Sequence, residues 1–241
     1  MKLKDNYIKI NGLKIYYLEG GSGRPLLIIP GWLAIADMYR ETGELLADNH
    51  HVIILEVPGI GRSAHLKRKW GFEDYKRITF NFINYLNLDN LILVGHSFGG
   101  AIGAAVLQET DKAAELVMVN SIGLKINKMF ITGFKGLWKE NSKKTILKYV
   151  LIFTSSAVMN IRNFYASLKI ISELNLADVL KKITKKVTIL WGEDDLALSM
   201  DYGLRLHKVI LKSKFVIIKG GGHNCIIFKP KKFVKYFNTY V

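Results

Sequence analysis

A serine between glycines is the first feature of this sequence that could do chemistry. The stretch LILVGHSFGG, residues 91–100, carries an apolar run directly into Gly95, Ser97 and Gly99. Because the two glycines have no side chains, a buried strand can turn sharply into a helix there and lift the serine hydroxyl above the strand's carboxyl end. The helix amides then point toward the place where acyl transfer develops negative charge. This context favours a nucleophile over a simple helix N-cap, the other role open to Ser97.

A serine nucleophile needs a base to take its proton, and the sequence contains six histidines. His223, in IKGGGHNC, directly follows the last apolar run, which places it in a loop at the carboxyl edge of the predicted sheet. The three glycines before it allow a close approach to Ser97. We therefore predict His223 as the base. The remaining histidines begin a strand, or lie in a loop, in the serine turn or on a surface helix: His50, His51, His65, His96 and His207.

An acidic residue must orient the imidazole and stabilise its charged form. Three acids follow the apolar run VTILW, in the segment GEDDLAL at 192–198. We favour Asp195 over Asp194, because three residues past Gly192 are enough to turn the side chain back toward His223. An exposed acidic loop is the alternative interpretation. The loop after the preceding run offers Asn120 and no carboxylate.

Apolar runs alternate with helical patterns along most of the chain. The runs lie at 25–30, 51–57, 90–95, 115–120, 186–192 and 214–220, and the helical patterns at 35–47, 73–87, 98–109, 200–211 and 228–240. Continuous β-branched and leucine runs indicate strands covered on both faces, as in a parallel sheet. Before them, YIKI and KIYYLE are joined through Asn11-Gly12, which suits a tight hairpin turn. We predict an α/β fold with a mostly parallel, doubly wound sheet and an N-terminal antiparallel hairpin.

One long interval, 121–186, interrupts this alternation after the sixth strand. Its aromatic and lysine-rich helical texture predicts an inserted helical cap, which leaves 1–120 and 187–241 as the core domain. The interval includes Trp138 and Tyr149, and a lid of this kind favours an apolar acyl chain or aromatic group, although core packing explains the same residues. The apolar segment at 149–161 is shorter than the roughly 18 residues that cross a bilayer, so we interpret it as buried helix or pocket wall.

Five short motifs together resemble the α/β-hydrolase fold superfamily, in its esterase- and lipase-like serine hydrolase branch. They are GHSFGG at 95–100, WGEDD at 191–195, GGH at 221–223, PGIGRS at 58–63 and IIPGW at 28–32, and the likeness covers essentially the whole chain. The resemblance maps the family's nucleophile, acid and base onto Ser97, Asp195 and His223. It also implies an oxyanion hole formed by the backbone N–H groups of Trp32 and Phe98.

Two positions depart from the family pattern. Pro30 precedes Gly31 where relatives usually have histidine, and proline lacks both the N–H and the imidazole that help to brace this loop. Because Gly31 and the next N–H are retained, we expect an altered pocket and not an inactive one. Glu56 stands where many relatives have aspartate before the PGIGRS segment, and we expect it to change only the bonding around the site.

The resemblance implies a serine hydrolase that cleaves a small lipophilic carboxylic ester through an acyl-enzyme, with no metal or organic cofactor. Thioesterase activity and hydrolysis of a carbon–carbon bond stay open within the same fold. Dehalogenase and epoxide hydrolase activities are disfavoured, because those relatives carry a carboxylate where Ser97 stands. A hypothesis of another class is a non-catalytic ligand-binding receptor, which only the departure at Pro30 favours.

The chain is strongly basic, with a net charge of +15 over 241 residues. Residues 121–186 contain thirteen Lys or Arg and three acidic residues, and residues 202–241 contain nine basic residues and no acidic one. Scattered lysines on solvated helix faces explain most of this excess, and no zinc-finger spacing or aromatic RNA-binding run accompanies it, so we expect no nucleic-acid partner. Weak association with an anionic membrane surface is the partner that the charge leaves open.

The remaining composition fits one domain that carries an insertion. At 49% hydrophobic residues, the chain can bury a large core without disulfides or metals. Its single cysteine, Cys225, cannot form an internal disulfide and is expected to be buried as a small apolar residue. The N-terminus lacks the apolar stretch of a secretory signal, so we expect a cytoplasmic location. The sequence does not indicate an oligomeric state.

Overall fold

The computed structural model describes residues 1–126 and 161–241, and eight strands within them form one sheet. The strands are β1 (Lys4–Ile10), β2 (Leu13–Gly20), β3 (Arg24–Ile29), β4 (His50–Glu56), β5 (Leu91–His96), β6 (Ala113–Val119), β7 (Lys186–Gly192) and β8 (Ser213–Ile218). Their order across the sheet is β1-β2-β4-β3-β5-β6-β7-β8. β2 runs antiparallel to β1 and β4, and the other neighbouring strands are parallel. The predicted sheet is therefore confirmed.

The opening hairpin turns through two residues, Asn11 and Gly12, between the paired residues Ile10 and Leu13. Both turn residues have positive φ, 51° and 80°. This is the conformation of the tight primed turn that Asn-Gly favours, because it matches the twist of the two strands. The sequence signal and the local structure agree here.

Helices cover both faces of the sheet. They are α1 (Arg40–Leu46), α2 (Phe72–Tyr85), α3 (Phe98–Glu109), α4 (Ile161–Glu173), α5 (Ala177–Lys181), α6 (Met200–Val209), α7 (Cys225–Phe228) and α8 (Pro230–Tyr240), with a 3₁₀ turn at Ala36–Tyr39 before α1. Phe82 of α2 and Ile102 of α3 belong to the core on one face. Leu46 of α1 and Phe233 of α8 belong to the core on the other. The sheet is doubly wound, as predicted.

The parallel arrangement brings the loops that follow β3 to β8 to one edge of the sheet. β3, β5, β6, β7 and β8 all end at this edge, and the loops that follow them carry Trp32, Ser97, Asn120, Asp195 and His223 respectively. In open α/β sheets, ligands bind outside the carboxyl ends of the strands. The fold therefore places all of these residues where a ligand would bind.

Some element boundaries differ from the sequence pattern. The predicted helix 35–47 is a 3₁₀ turn followed by the short helix α1. The predicted helix 228–240 begins at Pro230, since proline has no N–H to donate and suits the first turn of a helix. Trp138, Tyr149 and most of the segment 149–161 lie outside the described residues, so the cap at 121–186 stays a prediction. In the two described ranges, no helix is long and apolar enough to cross a membrane.

The turn from β5 into α3 packs closely against its own backbone and against the end of β3. A Cβ added at Gly95 would lie 2.4 Å from the Cα of Gly100, and one added at Gly99 would lie 2.1 Å from the carbonyl oxygen of Ile29. Both distances are much shorter than a van der Waals contact, and both neighbours are backbone atoms that cannot rotate away. The turn can therefore form only with glycine at these two positions.

We predict that Gly99→Ala lowers the free energy of unfolding by more than about 3 kcal/mol, because the added methyl forces the helix and β3 apart. Gly103→Ala is the matched control, since it adds a methyl to the same helix beside a side-chain methyl of Leu116. We expect the control to stay within about 1 kcal/mol of wild type, helped by the better helix propensity of alanine. Urea denaturation measures both. Similar midpoints for the two variants would contradict this account of the turn.

Candidate active site

Ser97 is held in a strained backbone conformation by the turn that carries it. Its φ is +51°, which is rare for a residue with a side chain. Its N–H donates to the carbonyl of Val119 at 3.0 Å, and its carbonyl accepts from the amides of Gly100 and Ile122 at 3.1 and 3.2 Å. Such strain persists only where the surroundings fix it, and it is concentrated at functional sites. The side chain is mostly buried, and the residue is 8% exposed.

Ser97, His223 and Asp195 form one hydrogen-bonded relay. Nδ1 of His223 lies 2.9 Å from Oδ2 of Asp195, and Nε2 of His223 lies 3.2 Å from Oγ of Ser97. An ionised carboxylate can only accept, so Nδ1 carries the proton and Nε2 is the acceptor that faces the serine hydroxyl. The imidazole is therefore in the tautomer that can take the proton of Ser97. Chemically, this arrangement can generate a serine nucleophile.

Four hydrogen bonds saturate the carboxylate of Asp195. Oδ1 accepts from the amides of Ala197 and Leu198, both at 2.8 Å, and Oδ2 accepts from His223 and from Nδ2 of Asn120 at 2.5 Å. Burial by itself would raise the pKa of Asp195, but the charge and hydrogen bond of His223, with the bonds from Leu198 and Asn120, outweigh it and lower the pKa. The carboxylate therefore stays ionised beside the imidazole.

Asn120 is the residue of this site that sequence reasoning missed. In the sequence this position offers no carboxylate to the relay, whereas in the structure its side chain joins three loops. Besides donating to Asp195, its Oδ1 accepts from the amide of Gly192 at 3.3 Å and from the thiol of Cys225 at 3.6 Å. A polar residue directly after a buried strand, next to the strand that precedes Asp195, was the available signal. The exposed neighbour Asp194 contributes its amide, which donates to Gly221 at 2.7 Å.

The loop after β3 passes against the serine. A Cβ added at Gly31 would lie 3.0 Å from Nδ1 of His96 and 3.3 Å from Cβ of Ser97, so a larger residue would push the loop away by a few tenths of an ångström. Trp32 follows in a tight turn that the amide of Ala34 closes by donating to the carbonyl of Gly31 at 3.2 Å. Phe98 is the first residue of α3, where helix amides have no intrahelical acceptor. The two residues predicted as oxyanion donors thus flank Ser97 in the chain and in the adjoining loop.

The side chain of Trp32 also reaches α4. Its indole N–H donates to Oγ of Ser167 at 2.8 Å, and its ring lies 5.4 Å from that of Phe164, centroid to centroid. Ser167 in turn donates to the carbonyl of Phe164 at 2.8 Å. Trp32 and the side chains of α4, the helix near the end of the predicted cap interval, therefore form an apolar and aromatic wall next to Ser97.

Glu56, the last residue of β4, braces two loops at the same edge of the sheet. Its carboxylate accepts from the amide of Ala36 at 2.9 Å and from the amide of Arg62 at 2.5 Å, and Oγ of Ser63 donates to its carbonyl at 2.5 Å. Burial raises the pKa of Glu56, although the hydrogen bonds that its carboxylate accepts from the backbone amides of Ala36 and Arg62 oppose that change. The longer side chain at this position therefore holds the start of the 3₁₀ turn and the PGIGRS loop together.

The described residues offer no place for a metal ion. Among residues 1–126 and 161–241, no group of three or more His, Cys, Asp or Glu side chains is arranged so that it could hold one. The polar groups at the serine are instead paired with one another.

Comparisons with known proteins agree with this architecture. A family described as "alpha/beta hydrolase fold" matches residues 24–141. The uncharacterized hydrolase YugF of Bacillus subtilis (strain 168) is 24% identical over 243 residues, which covers 89% of each chain. The 2-hydroxy-6-oxo-6-phenylhexa-2,4-dienoate hydrolase of Burkholderia cepacia is 24% identical over 231 residues, covering 82% of this chain and 80% of the relative.

Solved structures extend the likeness to the whole fold. An esterase from Exiguobacterium antarcticum matches with a TM-score of 0.84 at 19% identity, covering 98% of this chain and 99% of the esterase. At this level of identity the match concerns the fold alone. Together with the matching family and the strand order, it shows that the chain has the α/β-hydrolase fold.

Proposed function

We propose that this protein is a serine hydrolase that cleaves a small lipophilic carboxylic ester through an acyl-enzyme. The observation that carries the proposal is the relay from Ser97 through His223 to Asp195, with distances of 3.2 and 2.9 Å. Within this relay Ser97 is the nucleophile, His223 the general base and Asp195 the residue that orients and stabilises the imidazolium.

In the first step, His223 takes the hydroxyl proton as Ser97 attacks the ester carbonyl. The amides of Trp32 and Phe98 accommodate the oxyanion that develops, and an oxyanion donor of this kind typically contributes a factor of about 10² to 10³ in rate. The imidazolium then gives its proton to the leaving alcohol. Asp195 remains ionised throughout and stabilises the imidazolium, in agreement with the direction of its pKa.

In the second step, water replaces the alcohol. His223 removes a proton from the water as it attacks the acyl-enzyme, and the same amides stabilise the second oxyanion. The proton returns to Ser97 when the carboxylic acid leaves. The cycle balances with water as the only co-substrate.

The preference for a lipophilic ester rests on the surroundings of the serine. Trp32 and Phe164 form an aromatic wall, and Leu196, which follows Asp195 directly, exposes 54% of its surface. Apolar walls with a few polar groups are typical of sites for small lipophilic ligands. We further propose that the interval 121–186 caps this site.

Cleavage of a carbon–carbon bond is the second candidate, because one relative is a 2-hydroxy-6-oxo-6-phenylhexa-2,4-dienoate hydrolase. The same relay can serve both reactions. Direct comparison of a p-nitrophenyl ester with a dienoate of that class separates them, since the preferred substrate should have the higher kcat/KM.

We predict that a fluorophosphonate probe labels Ser97 and no other residue in the folded protein. Labelling is expected to vanish in Ser97→Ala and to slow by about 10³-fold or more in Asp195→Asn, because the amide cannot stabilise the imidazolium. Mass spectrometry of the intact protein measures the rate. The exposed Asp194→Asn is the matched control and should react like wild type.

Two outcomes would contradict this assignment. An unlabelled wild-type protein would favour the non-catalytic receptor hypothesis. A loss of reactivity in Asp194→Asn, with Asp195→Asn unaffected, would move the acid to the neighbouring residue.

We predict that Phe164→Ala shifts the preferred acyl chain of p-nitrophenyl esters toward longer chains. Removing the ring enlarges the space beside Trp32, and each methylene that a pocket accommodates changes kcat/KM by about tenfold or more. Tyr165→Ala is the matched control, because Tyr165 is the next residue on α4 and is 65% exposed. A series of esters of increasing length measures the preference. The same order of preference in both variants would show that Phe164 does not line the acyl pocket.

A further inference from the structure

Tyr39 and His96 join the two halves of the candidate site through one buried chain of hydrogen bonds. The amide of Gly31 lies 2.9 Å from Oη of Tyr39, Oη lies 2.7 Å from Nδ1 of His96, and Nε2 of His96 lies 3.0 Å from the carbonyl oxygen of His223. One end of the chain is the loop that carries Trp32. The other end is the backbone of the histidine that faces Ser97.

The chemistry of the groups fixes the direction of every bond. The carbonyl of His223 can only accept, so Nε2 of His96 donates to it. Nδ1 of the neutral imidazole is then an acceptor, and the hydroxyl of Tyr39 donates to it. The amide of Gly31 donates to the same hydroxyl oxygen. Every donor in this chain of hydrogen bonds has an acceptor, and the neutral form of His96 allows only this arrangement.

Both side chains are too deeply buried to touch a substrate. Tyr39 has no exposed surface and His96 is 2% exposed. Burial, together with the charge of His223, lowers the pKa of His96 to about 3, and burial raises the pKa of Tyr39. Both therefore stay neutral over the pH range in which enzymes work, and the hydrogen-bond pattern persists across it.

The departure at Pro30 explains why such a brace is needed. Proline has no N–H, so the loop after β3 cannot be held through residue 30 as a donor. Gly31 provides the next amide, and Tyr39 receives it. The carbonyl of Gly31 is held as well, by the amide of Ala34. The peptides on both sides of Gly31 are thus fixed, and the second of these carries the N–H of Trp32.

We propose that Tyr39 and His96 are positioning residues that hold the oxyanion loop and the His223 backbone in register across Ser97. This proposal rests on the proposed function. The two residues act through Gly31 and His223 and do not contact the reacting atoms. A displacement of about 1 Å in catalytic groups can cost around 10² in rate, so the effect should fall on kcat and spare substrate binding.

A first consequence concerns the acid stability of the protein. His96 is neutral in the folded state down to a pH of about 3 but takes up a proton near its ordinary value of 6.5 when unfolded. The unfolded state therefore binds more protons between these values, and stability falls as the pH falls. The titratable neighbours of His96, which are Tyr39, His223 and Asp195, are unchanged in His96→Gln. From pH 7 to pH 4.5, we expect the Tm of His96→Gln to fall by about 5 °C less than that of wild type. Equal shifts would show that His96 is protonated in the folded protein and cannot accept from Tyr39.

The decisive experiment compares hydroxyl removal at two buried tyrosines. Tyr39→Phe removes the acceptor of the Gly31 amide, whereas Tyr75→Phe alters a buried ring that packs on Phe98 at 5.5 Å, centroid to centroid, outside the chain of bonds. The quantities to be measured are the rate of fluorophosphonate labelling, and kcat and KM with p-nitrophenyl acetate. Tyr39→Phe should lower kcat and the labelling rate by about 10 to 100-fold with KM within about twofold, and Tyr75→Phe should match wild type.

Variants at His96 separate positioning from simple packing. Gln offers an oxygen acceptor and an N–H donor, so His96→Gln should keep kcat within about tenfold of wild type, while His96→Leu should lose as much as Tyr39→Phe. The double variant Tyr39→Phe/His96→Leu should be no slower than the slower single variant, because both break one chain.

The outcomes distinguish the two proposals. If wild type is labelled and Tyr39→Phe retains its kcat, or if His96→Gln and His96→Leu are equally slow, the positioning role is overturned while the hydrolase stands. If wild type is not labelled at all, the hydrolase proposal fails and the positioning role fails with it.

Discussion

The hydrogen bond between Nδ1 of His223 and Oδ2 of Asp195 is the interaction on which the rest of the site depends. It decides which nitrogen of the imidazole carries the proton, and so whether the other nitrogen can accept from Ser97. The bond is reliable because Asp195 has no freedom left: two amides of its own loop hold one oxygen, and Asn120 shares the other. A carboxylate that is buried but fully bonded can remain charged, which an unpaired one could not.

The sheet provides the frame for this bond. Parallel strands end at one edge, so residues that are far apart in the chain, such as Ser97 and His223, reach the same edge, although β6 and β7 lie between the strands that carry them there. The tight packing of the turn at Gly99 against β3 then sets the height of the serine above that edge. The carboxylate of Glu56 joins the start of the 3₁₀ turn, which follows the loop of Trp32, to the PGIGRS loop. Strand order, the packing of the turn and the contacts that hold the loops thus together fix the position of Ser97.

Most of the fold could be predicted from the sequence, because its signals are local. The continuous apolar runs identified the parallel strands, Asn11-Gly12 identified the hairpin, and glycines on both sides of Ser97 identified the strand-to-helix turn. The convergence of Ser97, Asp195 and His223 followed from strand order and the carboxyl-edge rule. In each case the inference needed only residue types, their spacing and the direction of the chain.

The bracing contacts could not be predicted in the same way. Asn120, Tyr39 and His96 act through side-chain directions that depend on three-dimensional packing, and the motif that contains His96 does not indicate which groups its ring contacts. Tyr39 is 57 residues from the histidine it contacts, and it lies in a 3₁₀ turn that the helical pattern around it concealed. The departure at Pro30 was visible in the sequence, but its compensation was not.

The hydrogen bond between Trp32 and Ser167 links the helix α4 to the loop that follows β3. A helix that borders a substrate pocket can usually change its sequence to admit other ligands without disturbing the chemistry. Here α4 is fastened to the very residue whose backbone adjoins the serine, so a change that moves the helix also moves that peptide. Under the proposed function, a substitution that removes the hydroxyl at position 167 would therefore disturb both the pocket wall and the loop that carries Trp32.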